Sequence, residues 1–231
     1  MYNKIDLKNK LESIHRKSYP AYKSLRGSYT FGDFVLSIDH VQGDPFAAPS
    51  SLHVELPLKK AGFPEKYLEK RHTKTALEDL ILRSFSKALD QYSFKAKGSG
   101  KSGLISTSRP GPEVMRRTAV EFNNIALLVR FEVGFPANGR TINAQELEKI
   151  LLEFLPQIVK TCLFYRSWEK AKIQACYELA ENQQRIREVL EERKLVAFCA
   201  NGSILPRKSG VKPTAERCHR ISVSGKHGDF D

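Results

Sequence analysis

Long apolar runs are missing from this chain. None approaches the ~18–20 residues that a membrane-spanning helix needs, so no partner membrane is expected. The first twenty residues, MYNKIDLKNKLESIHRKSYP, have no apolar core of a secretory signal, and they carry acids that a transit peptide avoids. The expected location is cytoplasmic. Cysteine is scarce and unpatterned: Cys162, Cys176, Cys199 and Cys218 form no CxxC pair. Three of them sit in apolar stretches as small core residues do, and Cys218–His219 with His227 lacks a fourth ligand. No metal is expected.

Charge is present in excess and unevenly placed. The 231 residues hold 38 Lys/Arg against 26 Asp/Glu, a net charge of +12. Residues 141–193 carry eight basic against nine acidic residues, so all of the excess lies elsewhere. Residues 1–30 carry seven against two, and residues 94–117 carry six against Glu113 alone. Such segregation points to a polyanionic partner, with nucleic acid, RNA first, as the leading class.

The pattern along the chain is α+β: a mixed or antiparallel sheet covered by helices, with a long helical hairpin inserted before the last strand. Residues 4–15 have the apolar spacing of a short amphipathic helix, and 73–92 that of a longer one with a Thr cap and Glu78 in its early turns. YTFGDFVLS (29–37) and LHVELPL (52–58) read as strands, and 117–135 as a hairpin turning at Asn123–Asn124. Residues 143–167 and 168–193 read as paired helices, the first kinked or broken at Pro156. LVAFCA (195–200) reads as the last strand.

GSGKSG (98–103) invites comparison with a phosphate-binding loop, G-x-x-x-x-G-K-[ST] between a strand and a helix. The comparison fails at position 95, which is lysine where glycine is required. Here a helix precedes the loop and a strand follows, so the helix N-terminus that would hold phosphate is absent. An anion-binding nest of backbone amides flanked by Lys97 and Lys101 is the reading that survives. Two Ala-Asn-Gly turns present further cations: Arg140 in VGFPANGRTI, and Arg207 and Lys208 in FCANGSILPRKSGV. Tyr19, Tyr22 and Tyr29 offer stacking platforms or core filler. Asp39 and His40 lie beside Gln42, Gly43 and Asp44 in one polar loop, without a nucleophile nearby.

Five segments in order, IDHVQGDPFAAPS, GSGKSGL, RPGPEVMRRTAVEF, VGFPANGRTI and VAFCANGSILPRKSGV, resemble the N-terminal region of the predicted ATPases of the ABC class. The resemblance covers roughly residues 12–211. It implies an accessory domain over 1–211 that works with an ATPase core in cis or in trans. ATP and magnesium are implied for that core alone, whose Walker A and Walker B elements lie beyond this stretch. No catalytic residue carries over, so no activity is expected of this chain alone. Residues 212–231 are expected to form a disordered or aberrant tail.

Three functions follow as expectations. The first is noncatalytic RNA binding through Lys97, Lys101, Ser102, Arg116, Arg140, Arg207 and Lys208. The second is regulation, with the Asp39–Asp44 loop gating a nucleotide site. The third is ATP hydrolysis through GSGKSG itself.

Overall fold

In the computed structural model the described residues are 2–198. The chain divides into two compact units, residues 1–180 and 181–231. The first contains a seven-stranded mixed sheet, β1 Tyr2–Asn3, β2 Gly27–Thr30, β3 Val35–His40, β4 Ser50–Pro57, β5 Ile105–Ser106, β6 Val120–Phe122 and β7 Ala126–Val133. The order is β1-β2-β3-β4-β7-β5, with β6 also paired to β7. Only the β1–β2 pair is parallel.

Strand β4 explains why the sheet has one dry face. Its side chains alternate, so Leu52, Val54 and Leu56 point inward while His53 and Glu55 point out. Register carries the alternation across the sheet: Leu36, Val54 and Val129 align on the buried side, and Ser37, His53 and Arg130 on the other. Helix α3 (Arg71–Tyr92) lays Leu77, Ile81, Phe85 and Leu89 on the dry face, with the Phe85 and Phe131 rings 5.9 Å apart. Helix α1 (Lys4–Ile14) adds Leu7, Leu11 and Ile14. Asn3 starts it through a capping box, accepting from the Asp6 amide at 2.9 Å while Asp6 accepts from the Asn3 amide at 2.8 Å.

Helix α3 begins at Arg71, two residues before the expected cap. Thr73 lies inside the first turn with its hydroxyl on the Lys70 carbonyl, 3.0 Å away. The β6–β7 hairpin turns where expected, with Asn123 Oδ1 accepting from the Ile125 amide at 2.8 Å and the Ala126 amide at 2.6 Å. A short helix, α2 (Leu58–Ala61), follows β4, and a two-stranded sheet, β8 Ala137–Asn138 with β9 Thr141–Ile142, follows β7.

The predicted helix over 143–167 is two helices, α4 (Ala144–Glu148) and α5 (Leu155–Cys162), joined by a π turn at Lys149–Phe154. Pro156 lacks an N–H and its ring crowds the carbonyl four residues earlier, so widening the preceding turn relieves both problems. Helix α6 (Lys170–Glu192) is the second arm. In the second unit its described part carries surface charge pairs, such as Arg185 Nη1 to Glu192 Oε1 at 3.0 Å. Residues 195–198 are not in a strand, and 199–200 lie outside the described residues, as do the boundary after 211 and the tail 212–231. No helix among the described residues is long and apolar enough to cross a membrane.

Candidate functional site

Three of the loops singled out in the sequence meet beyond the ends of β3, β4 and β7, and Gln42 joins two of them. Only 1% exposed, it donates its backbone amide to Ser50 Oγ at 3.1 Å. Its side-chain oxygen accepts from the amides of Ser50 and Phe135, each at 3.2 Å, and its Nε2 donates to the Asp44 carbonyl at 3.1 Å. Asp44 turns its own loop by accepting from the Phe46 amide at 3.0 Å. Its other oxygen accepts from Arg140 Nε, also at 3.0 Å.

The GSGKSG loop packs into this junction by backbone. The amides of Ser99, Lys101, Ser102 and Gly103 donate to the carbonyls of Ala137, Pro45, Ser99 and Gly134. Ser102 is buried, and its hydroxyl donates to Ser99 O at 2.5 Å and accepts from the Ala137 amide at 3.0 Å. Ser99 Oγ accepts from the Gly139 amide at 2.9 Å. Glycine is needed here for close approach: a Cβ on residue 98 would lie 2.6 Å from Ser102, and one on residue 100 would lie 2.5 Å from the Pro45 carbonyl oxygen. Four of the amides that would form a nest are therefore committed to carbonyls. The loop runs from α3 into β5, as the sequence implies, with no helix after it.

One spacing passed over in the sequence is GFPANGRT (134–141), which matches the phosphate-loop pattern with Arg140 in the lysine's place and follows a strand. It folds as the β8–β9 hairpin instead. Phe135, Pro136 and Ala137 are buried, and the Asn143 amide returns to the Pro136 carbonyl at 3.0 Å.

Around the junction stand exposed cations. Lys97, Lys101 and Arg140 are all on its surface. Sequence reasoning missed Arg16, Lys17, Lys23 and Arg26, although the basic excess of residues 1–30 was the signal. Arg16 and Lys17 are stitched to β9, with the Arg16 amide on Ile142 O at 3.1 Å and the Ile142 amide on Lys17 O at 2.9 Å. Among the described residues, only Arg140 of these seven forms an ion pair, with Asp44. The nearby Glu146 accepts from Lys149 at 2.5 Å and from the Lys97 amide at 3.1 Å. Desolvation is the largest single influence on its carboxyl and pushes the pKa up, but these bonds and the charges of Lys149 and Lys97 together outweigh it and leave the pKa lowered.

The tyrosines are core, not platforms. Tyr19, Tyr22 and Tyr29 are fully buried, and their hydroxyls donate to the carbonyls of Phe135, Pro136 and Leu25 at 3.0, 2.6 and 2.7 Å. Burial raises all three phenol pKa values, Tyr29 to about 12, so they stay protonated donors.

Other predicted positions separate. Strand alternation after inward-facing Leu36 and Ile38 puts Asp39 on the outer face of the sheet, where Oδ2 lies 2.6 Å from His53 Nδ1, and the register shifts between Ile38 and His40. His40 lines a small hollow with Lys23, Arg26 and Val41. Gly43 lies between Gln42 and Asp44 at the junction. Arg116 is away from the loops, in a groove on the outer sheet face that Asp39 also lines. Arg207 and Lys208 lie outside the described residues.

The profile of the family described as "ATPase of the ABC class N-terminal" matches residues 4–166, which takes in the whole loop junction. The chain belongs to that family. A profile described as "P-loop domain" of the ABC ATPases matches residues 169–222. VAFCANGSILPRKSGV, grouped by sequence with the N-terminal region, thus falls in the stretch matched to the P-loop domain. No protein with a curated description matches the chain.

Proposed function

We propose that this ABC-class N-terminal region is a noncatalytic, cytoplasmic RNA-binding platform. The observation that carries the reading is the ring of exposed cations, Arg16, Lys17, Lys23, Arg26, Lys97, Lys101 and Arg140, around loops locked by Gln42. Six of them form no ion pair among the described residues, so their charge is open to phosphates. Arg207 and Lys208 extend the set in sequence. Ser102 serves by holding the loop rather than by touching phosphate.

GSGKSG does not fit a hydrolytic nucleotide, because its amides are committed and a strand follows it. Among the described residues no group of three or more His, Cys, Asp or Glu is arranged to hold a metal ion. We assign the ATP and magnesium of this class to residues outside those described.

Fluorescence anisotropy of a labelled single-stranded RNA on the 231-residue chain tests the reading. Each phosphate contact on a single strand steepens the slope of log affinity against log salt by about 0.7. A slope near −3 is expected, shallower in Lys97→Glu/Lys101→Glu. A flat salt response, or equal binding by the charge-reversed chain, overturns it. DNA of the same sequence reports which nucleic acid is preferred.

A second reading is favoured by the adjoining match to a P-loop domain: the platform packs on an ATPase core, in cis or in trans, and gates its nucleotide site. Replacing Asp39 and His40 in a protein containing the ATPase core would then change ATP turnover without changing RNA affinity. Unchanged turnover removes it.

A further inference from the structure

The RPGPEVMRRTAVEF segment has no part in the loop junction. Two of its three arginines, Arg116 and Arg117, line a groove of about 830 Å³ on the outer face of the sheet. Buried Asp79 anchors the segment by pairing with Arg83 at 2.6 Å and with Arg117. Arg83 Nη2 also donates to Gly111 O at 2.7 Å. Held in this way, the chain brings Arg116 to Glu121, 3.1 Å away, and Arg130 reaches the same carboxylate at 3.4 Å.

One carboxylate therefore serves two guanidiniums. Each arginine has five N–H donors. Arg116 commits only Nη2, and Arg130 only Nη1, to partners among the described residues. The side chains are 66% and 45% exposed, so the remaining donors face solvent. Thr107 and Ser108 line the same wall. The far end carries the opposite charge, Asp39 and Glu132. Glu132 is exposed, and its carboxylate has no partner among the described residues. It lies two residues from Arg130 on one face of β7, roughly 7 Å along the strand.

A continuous polyanion would be drawn to one end of this groove and repelled by the other. A ligand with phosphate at one end and neutral hydroxyl donors at the other satisfies both. We propose that the groove is a binding site for a nucleoside 5′-phosphate. Its phosphate meets the open donors of Arg116 and Arg130, and its ribose hydroxyls donate to Glu132 and Asp39. The sheet-borne wall residue beneath it, Phe131, is buried, so no ring is available for stacking and the base goes unread. Such a nucleotide is either free in solution or the 3′-terminal nucleotide of an RNA, which shares the exposed ribose diol. The site is separate from the loop platform and does not depend on it.

Calorimetric titration of the 231-residue chain with AMP, UMP, adenosine and inorganic phosphate tests the proposal. AMP and UMP are expected to bind alike within about threefold and to outbind adenosine and phosphate by about tenfold or more, the worth of one charge-assisted hydrogen bond. Arg116→Ala should weaken AMP about tenfold with an unchanged melting temperature, because that side chain is mostly exposed. Glu132→Gln should weaken AMP but not inorganic phosphate. Lys101→Glu should leave AMP binding intact while impairing RNA binding, which separates this site from the platform. Competition by RNA ending in a 2′,3′-diol, but not by RNA blocked there, assigns the ligand to a strand end. Failure of both RNAs to compete assigns it to the free nucleotide. No saturable AMP binding, AMP no better than adenosine, or AMP binding lost in Lys101→Glu but kept in Arg116→Ala would overturn the proposal.

Discussion

Gly134 passes directly beneath Lys101: a Cβ on residue 134 would overlap the Lys101 carbonyl oxygen. The Gly134 amide donates to Leu104 O at 2.8 Å and its carbonyl accepts from the Gly103 amide at 2.9 Å, so neither strand end has room to withdraw. Gly134→Ala is expected to destabilise the chain by roughly 3 kcal/mol or more, at the severe end of single substitutions. Urea denaturation would measure it. A change within 0.5 kcal/mol would show that the loop adjusts freely.

Gln42→Ala strips the acceptor from two buried amides, those of Ser50 and Phe135, as well as the donor to Asp44 O. Leaving buried groups unsatisfied costs about 1–3 kcal/mol each. A loss of roughly 2–4 kcal/mol in denaturant unfolding is expected, together with faster amide exchange at Phe135.

Tyr22→Phe and Tyr19→Phe distinguish core from stacking roles. Each leaves a buried carbonyl short of a donor and should cost about 1–2 kcal/mol of stability. RNA affinity of the folded variants should be unchanged, since neither ring reaches solvent. A selective loss of RNA binding would contradict the burial of these rings.

Asp79→Asn removes the charge shared by Arg83 and Arg117. Breaking a buried ion pair from one side costs about 3–5 kcal/mol. The segment 107–117 should become sensitive to limited proteolysis before the rest of the chain unfolds. Persistence of protease resistance would show that its carbonyl contacts suffice.

Glu78 is 3% exposed, and its Oε1 accepts from the Phe122 amide at 2.9 Å. Burial pushes its pKa above the usual carboxylate range, against the opposing effects of the Phe122 amide, Lys74 and Arg116. The folded state thus holds the proton more tightly than the unfolded chain does. The resulting stabilisation is complete below the unfolded pKa and is lost as pH rises through the folded one. Glu78→Gln keeps the acceptor oxygen, so it should flatten this decline and melt higher than the parent at neutral pH. Parallel melting curves for the two proteins from acid to neutral pH would rule the carboxyl out as the source.

Periodicity made α1, α3 and the β6–β7 hairpin legible, because each has its apolar residues at the spacing that its own geometry buries. The start of α3 was misplaced because Thr73 bonds backward to Lys70 O from inside the first turn. Tyrosine type alone does not distinguish a stacking platform from a core ring, and here the Phe135 and Pro136 carbonyls decide for the core.

The sequence by itself determined the α+β pattern, the charge segregation, the family motifs and the failure of GSGKSG as a hydrolytic loop. All of these depend on residue type and spacing along the chain. Only the tertiary structure decided that Gln42 joins loops more than ninety residues apart in sequence. It also decided that glycines 98, 100, 103 and 134 serve close backbone approach, and that Arg116 and Asp39 share a groove on the opposite face from the core. Those relationships are set by strand register, by side-chain alternation along β3 and by which amides find carbonyls. GSGKSG is glycine-rich because neighbouring backbone occupies the space that side chains would need.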